Sequence, residues 1–169
     1  TARLDLQEPA RCHWLAPITP DCQIGSFEVA GESIGQAINF DHQVLLTDAK
    51  IDRATAKPGE AIHIDLMWRG LKTWSHDYTV FVHLIGPDGK VHGQIDQWPV
   101  QGTLPTSSWI AGQTVNDPYV VTLASDAPSG KYQAEVGWYL LATLRRLSVL
   151  DSSGQPSDDH VIIGEFNVP

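Results

Sequence analysis

The chain has 169 residues, enough for one compact domain with a single core and too few for two independent catalytic units. Acidic residues outnumber basic ones 20 to 11, for a formal net charge of −9, and no lysine or arginine lies between Lys90 and Lys131. That distribution argues against a nucleic-acid grip or a polybasic membrane patch, both of which need clustered cations. A hydrophobic fraction of 42% excludes intrinsic disorder, and six Trp beside four Phe and one Met is an unusual aromatic balance.

Two cysteines, Cys12 and Cys22, sit in a stretch broken by Pro9, Pro17 and Pro20. Metal sites usually draw on more ligands at tighter spacing, so a disulfide closing a small loop is the expected pairing. Such a bond persists in an oxidising, extracytoplasmic compartment; two free thiols in a cytosolic protein are the alternative. The longest apolar run, Val136 to Leu144, is far short of the roughly 20 residues a membrane helix needs. With neither an initiator Met nor a signal-like segment at Thr1, the chain reads as a processed product or a domain of something longer. Residues 1–25 are expected to form an N-terminal extension and residues 26–169 a single domain.

Period-2 alternation recurs along that domain, and no helical periodicity of comparable length appears. The first strand candidates are Ser26 to Ala30 and Val44 to Asp52. From Ala61 to Arg69, Ile62, Ile64, Leu66 and Trp68 share one face, opposite His63, Asp65, Met67 and Arg69. Tyr78 to Ile85 runs through the turn Pro87-Asp88-Gly89-Lys90 into Val91 to Ile95, as a hairpin does. Tyr119 to Leu123 follows. In Lys131 to Leu140, Tyr132, Ala134, Val136, Trp138 and Leu140 point one way, against Lys131, Gln133 and Glu135. Arg146 to Leu150 and Val161 to Val168 complete the set. Eight or nine short strands punctuated by Gly and Pro indicate an all-β chain, an antiparallel β-sandwich of jelly-roll or immunoglobulin-like type. The stretch from Gln97 to Pro118, with Pro99, Gly102, Pro105 and Gly112, reads as a long loop, and such loops are often functional.

The order of landmarks resembles a known domain. Pro58-Gly59-Glu60, Leu66-Met67-Trp68-Arg69 and Asp77 to Leu84 come first, then Asp88-Gly89-Lys90, Asp96 to Pro99, Gly102, Pro105-Thr106, Trp109, Gly112 and Asp117. Pro128 to Tyr132, Val136-Gly137-Trp138-Tyr139 and Arg146-Leu147 follow. The series is similar to the β-sandwich that follows the membrane-spanning part of bacterial glycosyltransferases of the dolichyl-phosphate-mannose-protein mannosyltransferase type, and that occurs in uncharacterised membrane proteins. The likeness covers about residues 49–150. It departs at Leu140-Leu141-Ala142-Thr143-Leu144, where the family usually has a polar turn. The resemblance implies an extracytoplasmic accessory domain, tethered through a membrane segment, that faces a glycan or polypeptide acceptor. It implies no catalytic residues.

Sugar recognition needs flat aromatic faces beside carboxylates and amides, and Trp74, Asp77, Asp96, Gln97, Trp98, Gln101 and Trp109 supply these in or near expected loops. The competing expectation is that a loop Trp plugs the end of the sandwich; Trp68 and Trp138 already fall on inward faces. Trp14 lies inside the proposed disulfide loop. A metal centre from His63, His83 and His92, with His76, Asp65, Asp77 and Asp96 as neighbours, is a weaker expectation, because no short-range ligand motif fixes it. A hydrolase would need carboxylates such as Asp65, Asp96 and Asp117 to converge; no GxSxG elbow or phosphate-binding glycine loop occurs. No cofactor is expected, although loop carboxylates leave room for a structural calcium. Three readings stay open: a non-catalytic glycan- or acceptor-binding accessory domain, a structural or protein-interaction module, and a metal- or carboxylate-dependent hydrolase.

Overall fold

A computed structural model describes residues 36–169. The Cys12–Cys22 pairing, Trp14, the strand expected at Ser26 to Ala30 and the boundary near residue 25 lie outside the described residues. The strands are β1 (Ile38–Phe40), β2 (Val44–Ile51), β3 (Ala61–Gly70), β4 (Thr79–Ile85), β5 (Val91–Gln97) and β6 (Thr114–Thr122). They continue with β7 (Gly130–Leu140), β8 (Arg145–Arg146), β9 (Val149–Leu150), β10 (Pro156–Asp158) and β11 (Val161–Val168), and one 3₁₀ turn spans Thr106–Ser108. The all-β expectation is met. The strand number exceeds eight or nine because β1, β8, β9 and β10 have only two or three residues each, too few to show a period.

Two antiparallel sheets face each other. One has the order β10-β9-β1-β2-β3-β6; the other runs β11-β7-β4-β5, with β8 paired to the end of β7. The alternation explains the core. Ile62, Ile64, Leu66 and Trp68 of β3 and Tyr132, Ala134, Val136 and Trp138 of β7 are fully buried against Val80, Val82 and Leu84 of β4. Each such aliphatic side chain contributes about 1.5–3 kcal/mol. In β2 the phase slips at a bulge between Leu46 and Asp48, so the buried set reads Val44, Leu46, Ala49, Ile51. The spare residue, Thr47, donates its hydroxyl to Met67 O at 3.0 Å.

Both seams between the sheets are closed by backbone. Ala124 N donates to His92 O at 2.6 Å on one side. On the other, Ala56 N donates to Asn167 O at 3.0 Å beside a parallel bridge from Thr55 to Asn167. The expected long loop is shorter than its sequence suggests. Pro118 belongs to β6, opposite Asp65, and is tolerated there because β6 is an edge strand with no ladder partner on its outer side among the described residues.

Candidate functional site

Four of the six tryptophans form one aromatic cluster at the end of the sandwich where β3 and β7 terminate. Trp138 has ring centroids 4.8 Å from Trp68, 5.5 Å from Trp74 and 5.9 Å from Trp109, and Trp74 lies 6.1 Å from Trp109. Trp74 and Trp109 are therefore core residues, 6% and 1% exposed, and neither ring offers a face to a sugar. The reason is the loop that carries Trp109. Thr106 is fully buried, donates its hydroxyl to His76 O at 2.9 Å and accepts from Tyr78 N at 3.0 Å. Asp77 Oδ1 accepts from Ser107 N at 2.9 Å. The residues that suggested a recognition loop thus lock that loop over the open end of the core.

Asp117 performs the same service further in. Its carboxylate is fully buried and accepts from Val100 N at 2.6 Å, Trp68 Nε1 at 2.9 Å and the Tyr119 hydroxyl at 2.7 Å. Burial pushes its pKa up, and the three donors offset part of that rise. Burial and the adjacent Asp117 charge push the Tyr119 hydroxyl up as well.

The proposed metal set does not assemble. His63 lies on the outer side of β3, His83 on the outer side of the opposite sheet, and His92 bonds Asp88 Oδ1 at 2.8 Å near the β4–β5 turn. The core separates the first two. Asp65, Asp96 and Asp117 likewise fail to share a cleft, for Asp65 points outward from β3, Asp117 inward from β6, and Asp96 outward from β5.

Polar groups do converge on the outer flank of the five-stranded sheet, where strand register sets two adjacent rows. One row is Gln94, His83 and Glu135 across β5, β4 and β7; the next is Asp96, Phe81 and Gly137. His83 Nδ1 hydrogen-bonds Glu135 Oε1 at 3.1 Å, and Nε2 lies 3.8 Å from Asp96 Oδ2. His160, just before β11, brings Nε2 to 3.5 Å from Glu135 Oε2 and Nδ1 to 3.0 Å from Asp159 Oδ1. Arg146 Nη1 donates to Asp159 at 3.1 Å, and its Cζ sits 4.2 Å above the Phe81 ring. Phe81 is 1% exposed although it points away from the core, because Arg146, His83 and Tyr139 cover it. Gly137 makes this possible. A methyl there would overlap Phe81 Cζ and come within 2.9 Å of the Asp159 carbonyl.

The flank is a charged, polar surface. Carboxylates supply acceptors, Arg146 supplies a fork of donors, and the histidines can do either. Burial acts to raise the Asp159 pKa, but the His160 and Arg146 hydrogen bonds and charges prevail and hold it below the usual carboxylate range. Burial, then the negative charge of Asp96, pushes Tyr139 up. Asp158, Asp159 and His160 are the one group among the described residues whose ligand atoms lie within 4.8 Å of one another, as a metal site would require.

Of the expected recognition residues, Asp96 belongs to this flank, Gln97 ends β5 opposite Val80, and Trp98 directly follows with 40% of its surface exposed. Gln101 is exposed in a left-handed conformation, φ 55°. Sequence reasoning missed Phe81, Glu135, Tyr139, Arg146, Asp159 and His160. Alternation already placed Glu135 on an outer face, but only the register puts it opposite His83.

No protein-family model and no curated protein matches the chain. Among solved structures it is similar to the C-terminal domain of wzt, with a TM-score of 0.54 and 11% identity over 81% of this chain and 80% of that one. It also overlaps Spo0M, a sporulation control protein from Bacillus subtilis, with a TM-score of 0.36 and 21% identity over 77% of this chain and 49% of that one. The first likeness supports the β-sandwich fold. Neither extends to the mannosyltransferase context.

Proposed function

We propose that this sandwich is a non-catalytic, extracytoplasmic accessory module of a larger membrane-associated protein, and that the outer flank of its five-stranded sheet binds a polyhydroxylated ligand, a glycan chain of the cell envelope. The observation that carries this reading is the convergence of Asp96, His83, Glu135, Arg146 and Asp159 around the covered Phe81 ring. Carboxylates and a guanidinium suit hydroxyl-rich ligands, which offer donors and acceptors around a ring. The dispersal of Asp65, Asp96 and Asp117 speaks against a carboxylate-pair hydrolase. The spacing of Cys12 and Cys22 supports an oxidising compartment, and the order of landmarks supports the membrane-protein context.

Calorimetric titration with envelope polysaccharides tests the reading. Binding is expected for the unaltered chain and a loss of about tenfold or more in Asp96→Ala and Arg146→Ala, since each removes a hydrogen-bonding group from the surface. Absence of heat with every polysaccharide overturns it. The burial of Trp74 and Trp109 favours a second reading, a purely structural or protein-interaction module, and that same null result would select it.

A further inference from the structure

The loops at the tryptophan-filled end differ in chemistry from the rest of the surface. Among the described residues, eight large hydrophobic side chains are exposed, and five of them project from these loops: Leu71, Trp98, Ile110, Leu141 and Leu144. Ile110, Leu141 and Leu144 are 64%, 62% and 71% exposed. The loops are mutually connected, with Leu71 N donating to Gln43 O at 2.8 Å and Gly112 N to Gly70 O at 2.8 Å. A 310 Å³ cleft lies between Asp41, Gln43 and Tyr78 on one side and Leu140, Thr143 and Arg145 of the β7–β8 hairpin on the other.

Charge at this end runs against the chain as a whole. Trp98 to Gln113 and Leu141 to Leu144 contain no charged residue. Four cations, Lys57, Arg69, Lys72 and Arg145, have no carboxylate partner among the described residues, and all but Lys57 flank these loops. The loop acids are Asp41 and Asp77, the latter engaged by Ser107 N. The carboxylates of the neighbouring flank are held by Arg146 and the histidines.

Backbone strain is concentrated in the same place. All five described non-glycine residues with positive φ lie in these loops: Asp41, His42, Val100, Gln101 and Leu144. Leu144 combines a φ of 56° with the largest exposure of any large hydrophobic residue described, where glycine would be both unstrained and harmless in water. Strain of this kind persists only where the surrounding structure enforces it, and it clusters at binding and switch regions.

We infer that this end of the sandwich docks on an anionic lipid bilayer. Leu141, Leu144, Ile110 and Trp98 enter the interfacial zone, and Arg69, Lys72 and Arg145 meet lipid phosphates. Apolar tips flanked in the chain by cations that have no carboxylate partner among the described residues fit a surface that is apolar below and negative above. The inference does not rest on the glycan reading, since the proposed glycan surface lies on the sheet flank and uses different side chains.

Flotation with vesicles of phosphatidylcholine alone, and with an equimolar mixture of phosphatidylcholine and phosphatidylglycerol, tests it. The chain is expected to float with the mixed vesicles at low salt, to be released as salt rises, and to remain behind with phosphatidylcholine. The double variant Leu141→Ser, Leu144→Gly, which keeps the hairpin's backbone preference, is expected to lose binding by about tenfold or more. Arg145→Glu is expected to weaken it and flatten the salt dependence. Brominated lipid should quench Trp98 fluorescence in the unaltered chain and not in Trp98→Phe. Equal flotation with both vesicle types, no flotation at low salt, or unchanged binding in the double variant overturns the inference. Because those side chains take no part in the polysaccharide titration, either proposal can fail alone.

Discussion

Trp68 on β3 donates its indole N–H to the buried Asp117 carboxyl group on β6 over 2.9 Å, so one of the largest core side chains is fixed by a group that also anchors Val100 of the loop after β5. Asp117→Ala would leave three donors without an acceptor in a dry site. The expected loss is about 3 kcal/mol or more by urea denaturation, since each unsatisfied buried group costs about 1–3 kcal/mol. The folded-state pKa of Asp117 is raised, so its contribution to stability is full below the unfolded carboxylate value of 3.8 and is lost as pH rises through the folded value. The stability difference between the unaltered chain and Asp117→Asn should therefore move against the unaltered chain as pH climbs through that window.

Asp159 behaves oppositely. Its pKa is depressed, so its contribution is present above the unfolded value and is lost as pH falls through the folded one. Arg146→Ala removes one of its two partners and the cation over Phe81. The Asp159 carboxyl resonance should then titrate at higher pH than in the unaltered chain, and Phe81 should become accessible to solvent. An unmoved Asp159 titration would mean that His160 alone sets it.

Gly137→Ala tests the architecture of the flank with a single methyl. Because the new Cβ meets both Phe81 and the Asp159 carbonyl, the variant should lose about 1–3 kcal/mol by thermal or urea unfolding and should also weaken any flank ligand. Gly59→Ala, with open space around it but a φ of 83°, separates backbone strain from overlap.

The tryptophans should divide sharply by stability. Trp109→Ala empties the end of the core and should cost about 3–5 kcal/mol, whereas Trp98→Ala should stay within about 1 kcal/mol. Comparable losses in both would contradict the separation of core rings from the surface ring.

Leu144→Gly should leave stability unchanged or raise it by up to about 1 kcal/mol. Relief of a left-handed leucine, worth about 1–2 kcal/mol, is offset in part by the greater chain entropy of glycine. A clear loss in urea denaturation would show that Leu144 packs in the hairpin and is not held there for a partner.

The sequence by itself determined the all-β class, the buried faces of β3 and β7 and the inward position of Trp68 and Trp138, because alternation between core and solvent is a local property of each strand. It could not determine which rows of side chains become neighbours. The His83–Glu135 contact depends on the register between β4 and β7, and the burial of Trp74 and Trp109 depends on Thr106 and Asp77 tying two distant loops together. His63, His83 and His92 looked equivalent along the chain, yet the two sheets turn their outer faces in opposite directions. Tertiary structure decided these points, because contacts between residues tens of positions apart are set by how the sheets pair and close, and no local pattern of the chain records that.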